Sequence, residues 1–288
     1  MRDRIDPLIH ERAPWLLSDR SGPRAARAVL DRLLNYETTL QIAGAVQHLP
    51  AATLMQTMGE RLAREAVYHG QSHIPRRGAA LIVANHPTGI ADGIILHHLL
   101  QRIRPDAYYF ANHDILRVLP QMENMIAPVE WRREKRTHGK TRATMSFTRR
   151  AVQQGRLGVI FPSGRLAKRR GLSLHERPWM GSAAMLARKF DLPVIPVNIR
   201  ARNSALFYLL DLIHPTLRDI TLFHETLNKH RQPFEVTVGE PISPRALPAN
   251  SDEAIAVLRR ATLSLGGRTA PAVSILDATR RPHWLRAF

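Results

Sequence analysis

The chain has no cysteine in 288 residues. Disulfide scaffolds, thiolate zinc sites and cysteine nucleophiles are thereby excluded, and the composition suits a reducing compartment. Long apolar runs are also missing. The most apolar windows, Ala79–Ala84 and Ala205–Leu210, fall far short of the roughly 20 residues that cross a bilayer as a helix. Met1–Arg24, studded with Arg, Asp, Glu and Pro, holds no apolar core of signal-peptide length. Negative charge is scarce: 24 Asp and Glu face 42 Lys and Arg, a formal charge of +18. Such a surplus calls for an anionic counterpart, whether nucleic acid, phospholipid headgroups, or an acidic substrate or carrier protein. Otherwise the balance, 44% hydrophobic and 23% charged, is that of a globular chain long enough for a sizeable core.

Residues 1–70 are expected to form an N-terminal helical arm, a hairpin that packs on the main domain or lies on a membrane. In Ala25–Val46 the apolar residues Val29, Leu33, Leu40 and Ala43 fall near helical spacing. Pro50 interrupts the pattern, Thr53–Tyr68 resumes it, and Gly70 closes it. Residues 71–250 alternate short apolar runs with helical stretches. Ala80–Ala84, Ala107–Ala111, Ile126–Trp131, Leu157–Phe161, Pro193–Ile199 and Phe234–Gly239 read as strands, with helices at Ile90–Gln101, Lys140–Gln154 and Trp179–Phe190 between them. This alternation predicts an α/β fold, a mostly parallel or mixed central sheet flanked by helices. Two prolines, Pro193 and Pro196, put their strand at an edge, a bulge or a cleft. Residues 251–288 read as a C-terminal helical extension opening at Ser251-Asp252-Glu253.

Two strand ends carry candidate chemistry. The first runs Ala84-Asn85-His86-Pro87-Thr88-Gly89-Ile90-Ala91-Asp92-Gly93. His86 falls at a strand's carboxyl end, where α/β folds place their sites, and Asp92 opens the following helix. A carboxylate that holds one imidazole nitrogen leaves the other as a general base. Read blandly, Asp92 caps the helix and His86 is an unrelated surface residue. The second strand runs Phe161-Pro162-Ser163-Gly164-Arg165 into Lys168, Arg169 and Arg170. Backbone N–H groups and guanidiniums at such a turn suit a phosphate or carboxylate, although a solvated basic loop would look the same.

In this order, these segments resemble the glycerolipid acyltransferase family. Asn85-His86 through Asp92 is similar to its His/Asp block, and Phe161–Arg165 is similar to its F-P-E-G-T-R block. Leu192–Val197 matches its proline-rich block, Ala127–Arg132 its second block, and Phe234–Ile242 its last strand and exit. The resemblance covers about residues 72–245. There are two departures: five residues, not four, separate His86 from Asp92, and Ser163 stands where the family carries Glu. The pattern N-H-P-x-G-x-x-D-G of the hemolysin-like and ornithine-lipid acyltransferase subgroup fits residues 85–93, and Arg104-Pro105-Asp106 fits downstream.

The resemblance implies transfer of a fatty acyl group from acyl-CoA or acyl-acyl-carrier protein to the hydroxyl of a lysolipid, such as lysophosphatidic acid or lyso-ornithine lipid. His86 would be the base and Asp92 its orienting partner. Thr88 and Gly89 would supply oxyanion-stabilising N–H groups, with Arg132, Ser163, Gly164 and Arg165 at the acceptor headgroup. No cofactor or metal is expected. The expected partners are an anionic membrane surface, the lysolipid and the thioester, with no nucleic acid, at a peripheral location on the cytoplasmic face of the membrane. The rival classes are a basic nucleic-acid-binding protein and a non-catalytic peripheral lipid-binding protein. His97-His98 sits within an apolar helix, which favours packing or surface exposure over metal binding, and His224-Glu225 with His230 lacks H-E-x-x-H spacing and a carboxylate cluster. Gly139-Lys140-Thr141 lacks the first glycine of a P-loop, since Glu134 stands there.

Overall fold

The computed structural model describes residues 1–12, 14, 27, 28, 30–32, 34–130, 137–213, 217, 218, 221–227, 229–267 and 272–274. The N-terminal part comprises α1 (Arg2–Arg12), α2 (Tyr36–Val46), α3 (Ala51–Leu62) and strand β1 (Ala66–His69). Then follow β2 (Ala80–Ala84), α4 (Ile90–Leu100), β3 (Tyr108–Asn112), α5 (Asp114–Val118), β4 (Ile126–Val129), α6 (His138–Gln153) and β5 (Leu157–Ile160). A short pair, β6 (Lys168–Arg170) and β7 (Ser173–His175), precedes α7 (Ser182–Lys189) and β8 (Val194–Arg200). The remainder is α8 (Ala205–Ile213), α9 (Leu222–Leu227), β9 (Phe234–Val238), α10 (Ser251–Ser264) and β10 (Ala272–Ser274).

Among the described residues, seven strands form one sheet in the order β1-β9-β8-β2-β5-β3-β4. Every pairing is parallel except β8 with β9. β2 lies inside the sheet, with Ile82 opposite Val159 of β5 and Ile195 of β8. All five of its residues are buried because helices cover both faces. Leu81 and Val83 point into a core shared with Ala151, Ala184 and Leu258 from α6, α7 and α10. Ala80, Ile82 and Ala84 point into the other core, with Leu54, Met58 and Ile95 from α3 and α4. The predicted α/β class is the observed one.

Two local readings change. The helical pattern over 53–68 ends at Leu62, and Ala66–His69 is a strand paired with β9. Gly70 therefore closes a strand. Its φ is +69°, and a Cβ there would meet the Val238 carbonyl oxygen at 2.1 Å, so only glycine fits. Second, β8 is interior despite its proline. The Pro196 carbonyl accepts from Gly239 N–H, so the missing N–H faces the β9 side at a bulge: between the pair Val197–Val238 and the bridge Val194–Ile242, residues 195–196 face residues 239–241. The C-terminal helix opens at Ser251 as expected and is capped by Asn250, whose side chain accepts from Asp252 N–H and Glu253 N–H.

Arg104 is 2% exposed and is a structural tie. Its guanidinium forks onto Asp106 and donates to the carbonyls of Pro75, Gly78 and Gly155. Gly78 and Gly155 lie just before β2 and β5. The knot therefore sits at the opposite end of the sheet from His86 and fastens the strands that carry the candidate site.

Candidate active site

β2, β5 and β8 run parallel, so their carboxyl ends share one side of the sheet. The β2 end is clamped first. Asn85 donates to the Ile199 carbonyl at 2.8 Å and accepts from Ile199 N–H at 2.7 Å, which fixes the turn to β8. The next residue, His86, places Nδ1 2.9 Å from Asp92 Oδ2. Its ring stacks on Phe161 from the end of β5, with centroids 4.3 Å apart and 25° between planes.

Asp92 is completely buried. Its carboxylate accepts from Thr88 N–H at 2.9 Å, Gly89 N–H at 3.0 Å and the Thr88 hydroxyl, besides His86. These bonds satisfy a charge that burial would otherwise make costly. The carboxylate both caps the start of α4 and bonds His86 Nδ1. Gly89 has φ +96°, and a Cβ there would meet Leu166 and Leu222 at 3.2 and 3.3 Å, so the turn needs glycine on two counts. The Thr88 and Gly89 N–H groups, which the sequence suggests for an oxyanion, here donate to Asp92.

Ser163 is buried and donates to the Arg165 carbonyl at 2.8 Å, while Gly164 takes φ +60° and donates to the Phe161 carbonyl. Both residues shape the turn. Arg165 lies exposed beyond it. Arg132 falls outside the described residues. Arg177 donates to the Leu166 carbonyl at 2.9 Å. Its guanidinium is held below its ordinary value by burial first, then by the positive charges of Arg218 and Arg165. Three guanidiniums thus gather beside the turn, with Asp211 bonded to Arg218.

Sequence reasoning missed Glu176. Buried to 7% exposure, it accepts from His86 backbone N–H at 3.1 Å and from Trp179 Nε1–H at 3.0 Å, and it faces Ser163. Burial raises its carboxyl, and the Trp179 and His86 donors hold it back. A carboxylate therefore does stand beside Ser163, supplied from thirteen residues downstream. The available signal was an acid within the basic stretch 165–177, followed by Pro178 and Trp179. Behind Asp92, Lys229 is buried with Nζ donating to the Arg202 carbonyl, Asn203 Oδ1 and Gln232 Oε1. Burial pushes its ammonium down to about 8, against the pull of Glu225 and Asp92. Among the described residues, no group of three or more His, Asp or Glu could hold a metal ion.

A family model described as Acyltransferase matches residues 65–200, the stretch from β1 to β8. The lyso-glycine lipid O-acyltransferase of Phocaeicola vulgatus is 24% identical over 179 residues, which cover 60% of this chain and 62% of that protein. Its counterpart from Bacteroides thetaiotaomicron is 24% identical over 179 residues, covering 60% and 64%. The match thus spans somewhat under two thirds of the length of these curated relatives. The crystal structure of the 1-acyl-sn-glycerophosphate acyltransferase PlsC from Thermotoga maritima shares the fold, with a TM-score of 0.51 at 12% identity over 86% of this chain and 98% of that one. With its motifs in the order expected of a glycerolipid acyltransferase and residues 65–200 matching the Acyltransferase family model, this chain is similar to the glycerolipid and lysophospholipid acyltransferases.

Proposed function

We propose that the protein transfers a fatty acyl group from an acyl thioester, acyl-CoA or acyl-acyl-carrier protein, to the hydroxyl of an anionic lysolipid. One observation carries the reading: His86 Nδ1 lies 2.9 Å from the wholly buried Asp92 carboxylate. With Nδ1–H donated to Asp92, Nε2 holds the lone pair. Nε2 takes the acceptor's hydroxyl proton as that oxygen attacks the thioester carbonyl carbon. The tetrahedral intermediate expels the thiolate, which recovers the proton from the imidazolium. Asp92 steadies that cation, and its own N–H donors hold its carboxylate in place. Glu176 anchors the His86 backbone, and Phe161 fixes the ring plane.

Arg165 and Arg177 hold the acceptor's anionic headgroup in this scheme, with Arg132 as a third candidate from the sequence. The relatives' names favour a lysolipid with an amino-acid headgroup, whose carboxylate suits a guanidinium fork as well as a phosphate does. A nucleic-acid binder has no need of a buried carboxylate holding a histidine at a strand end.

Purified protein incubated with acyl-CoA or acyl-acyl-carrier protein and lyso-glycine lipid, lyso-ornithine lipid or lysophosphatidic acid, with products read by mass spectrometry, tests this. Acylated product is expected with at least one pair. Arg165→Ala should raise KM for that lysolipid about ten- to hundredfold, with the thioester KM little changed. No product from any pair would remove the reading, and a thioester-side defect would move Arg165 to the donor.

A further inference from the structure

Among the described residues, nothing covers the outer stripe of helix α8. Phe207, Tyr208 and Leu210 are buried, whereas Ala205, Leu209, Leu212 and Ile213 are exposed, at spacings of four, three and one residues along one helix face. Leu209, Leu212 and Ile213 are 56, 67 and 65% exposed. A fourth large apolar residue, Leu172, is 62% exposed at the turn between β6 and β7. Together these are four of the seven large hydrophobic side chains exposed among the described residues. The two pieces share a small core of their own, since Leu174 of β7 packs with Phe207 and Tyr208 of α8, and Leu166, Ala167 and Leu222 border it. Leu166 and Leu222 are the side chains that abut Gly89, so this core touches the turn that holds His86 and Asp92.

Cations frame the apolar residues. Strand β6 is Lys168, Arg169 and Arg170, which Gly171 joins to Leu172, with Lys168 and Arg170 exposed. Apolar side chains projecting among Lys and Arg, on a chain of net charge +18, match an anionic lipid surface: headgroups meet the cations and acyl chains receive the leucines. Nucleic acid has no use for the apolar stripe. The N-terminal hairpin offers no such surface among the described residues. Leu54, Met55, Met58 and Leu62 of α3 are spent in the main core, and Leu40 and Ala43 of α2 pack with Ile5 and Leu8 of α1.

The geometry points to the outer stripe of α8 and the β6–β7 turn as the face that docks on anionic bilayers, setting the His86 turn against the membrane surface. It rests on the proposed lysolipid chemistry only for its purpose, because docking can be measured without turnover. Flotation of the full chain with vesicles of phosphatidylcholine alone, or mixed with phosphatidylglycerol, is the test. The triple variant L209S/L212S/I213S should lose at least about tenfold in partitioning to mixed vesicles. R169Q/R170Q should lose about fivefold per charge of the preference for mixed over zwitterionic vesicles. The control V67S/M185S, at exposed apolar residues elsewhere, should bind as the unaltered chain does. Circular dichroism confirms that each variant folds.

Unchanged binding by the triple variant, or equal loss in the control, would overturn the assignment. Indifference of the unaltered chain to both vesicle types, with binding to an acidic acyl carrier protein that R169Q/R170Q abolishes, would overturn it in favour of a carrier-protein dock. Failure of acyl transfer while vesicle binding follows the expected pattern would strike the proposed function and leave this face standing.

Discussion

At the scale of single residues, the site is a set of constraints on one imidazole. Asp92 fixes Nδ1, Phe161 fixes the ring plane and Glu176 fixes the backbone. His86 and Asp92 were legible in the sequence because a strand-to-turn-to-helix pattern brings residues six apart within reach. Glu176 was not legible, because contact with His86 across ninety residues follows no local spacing. Glu176→Gln retains size but removes charge and one carboxylate acceptor. Losing a charge-assisted tether typically costs about 1.5–3 kcal/mol. Steady-state kinetics should therefore show kcat roughly ten- to hundredfold lower, with KM for the thioester nearly unchanged. A rise in KM with kcat intact would make Glu176 a binding group, and no change would reduce it to packing.

At the scale of elements, strands with continuous apolar runs were readable to within a residue or so. β2 matches its expected span, β8 is displaced by one residue at both ends, and β9 ends one residue early. The failures have physical causes. Helical periodicity over 53–68 could not reveal that Val67 and Tyr68 find a ladder on β9, because that pairing is long-range. The β6–β7 pair is only three residues a side and rich in Arg, which reads as loop. Within α4, His97 is buried with Nδ1 3.0 Å from the Tyr109 hydroxyl. Burial lowers its ring to about 4, from 6.5. Below pH 6.5 the unfolded chain takes up a proton that the folded one refuses, so stability falls as pH drops from about 6.5 to about 4. At about 1.4 kcal/mol per unit, the loss is on the order of 3 kcal/mol. Urea unfolding at stepped pH should show this slope and His97→Gln should flatten it; an identical slope in the variant would exclude His97 as its source.

At the scale of the whole molecule, the sheet separates structural from chemical tasks. Arg104 knots the strand starts with four partners, and the strand ends carry the His86 turn, the Phe161–Arg165 turn and the Arg177–Arg218 group. A net charge of +18 announced an anionic counterpart, but only the fold brings Arg165 and Arg218 within electrostatic reach of Arg177. No described helix is long and apolar enough to cross a membrane. The central claim is that His86, held by Asp92, is the base in thioester-to-hydroxyl acyl transfer. The most direct measurement follows free thiol release and O-acylated lipid together, on the best substrate pair, for the unaltered chain and for folded His86→Ala. The account predicts equal stoichiometry of thiol and acyl-lipid, with a loss of about 10²–10⁴-fold in kcat/KM for the variant. Turnover by His86→Ala within a few-fold of the unaltered chain would contradict it.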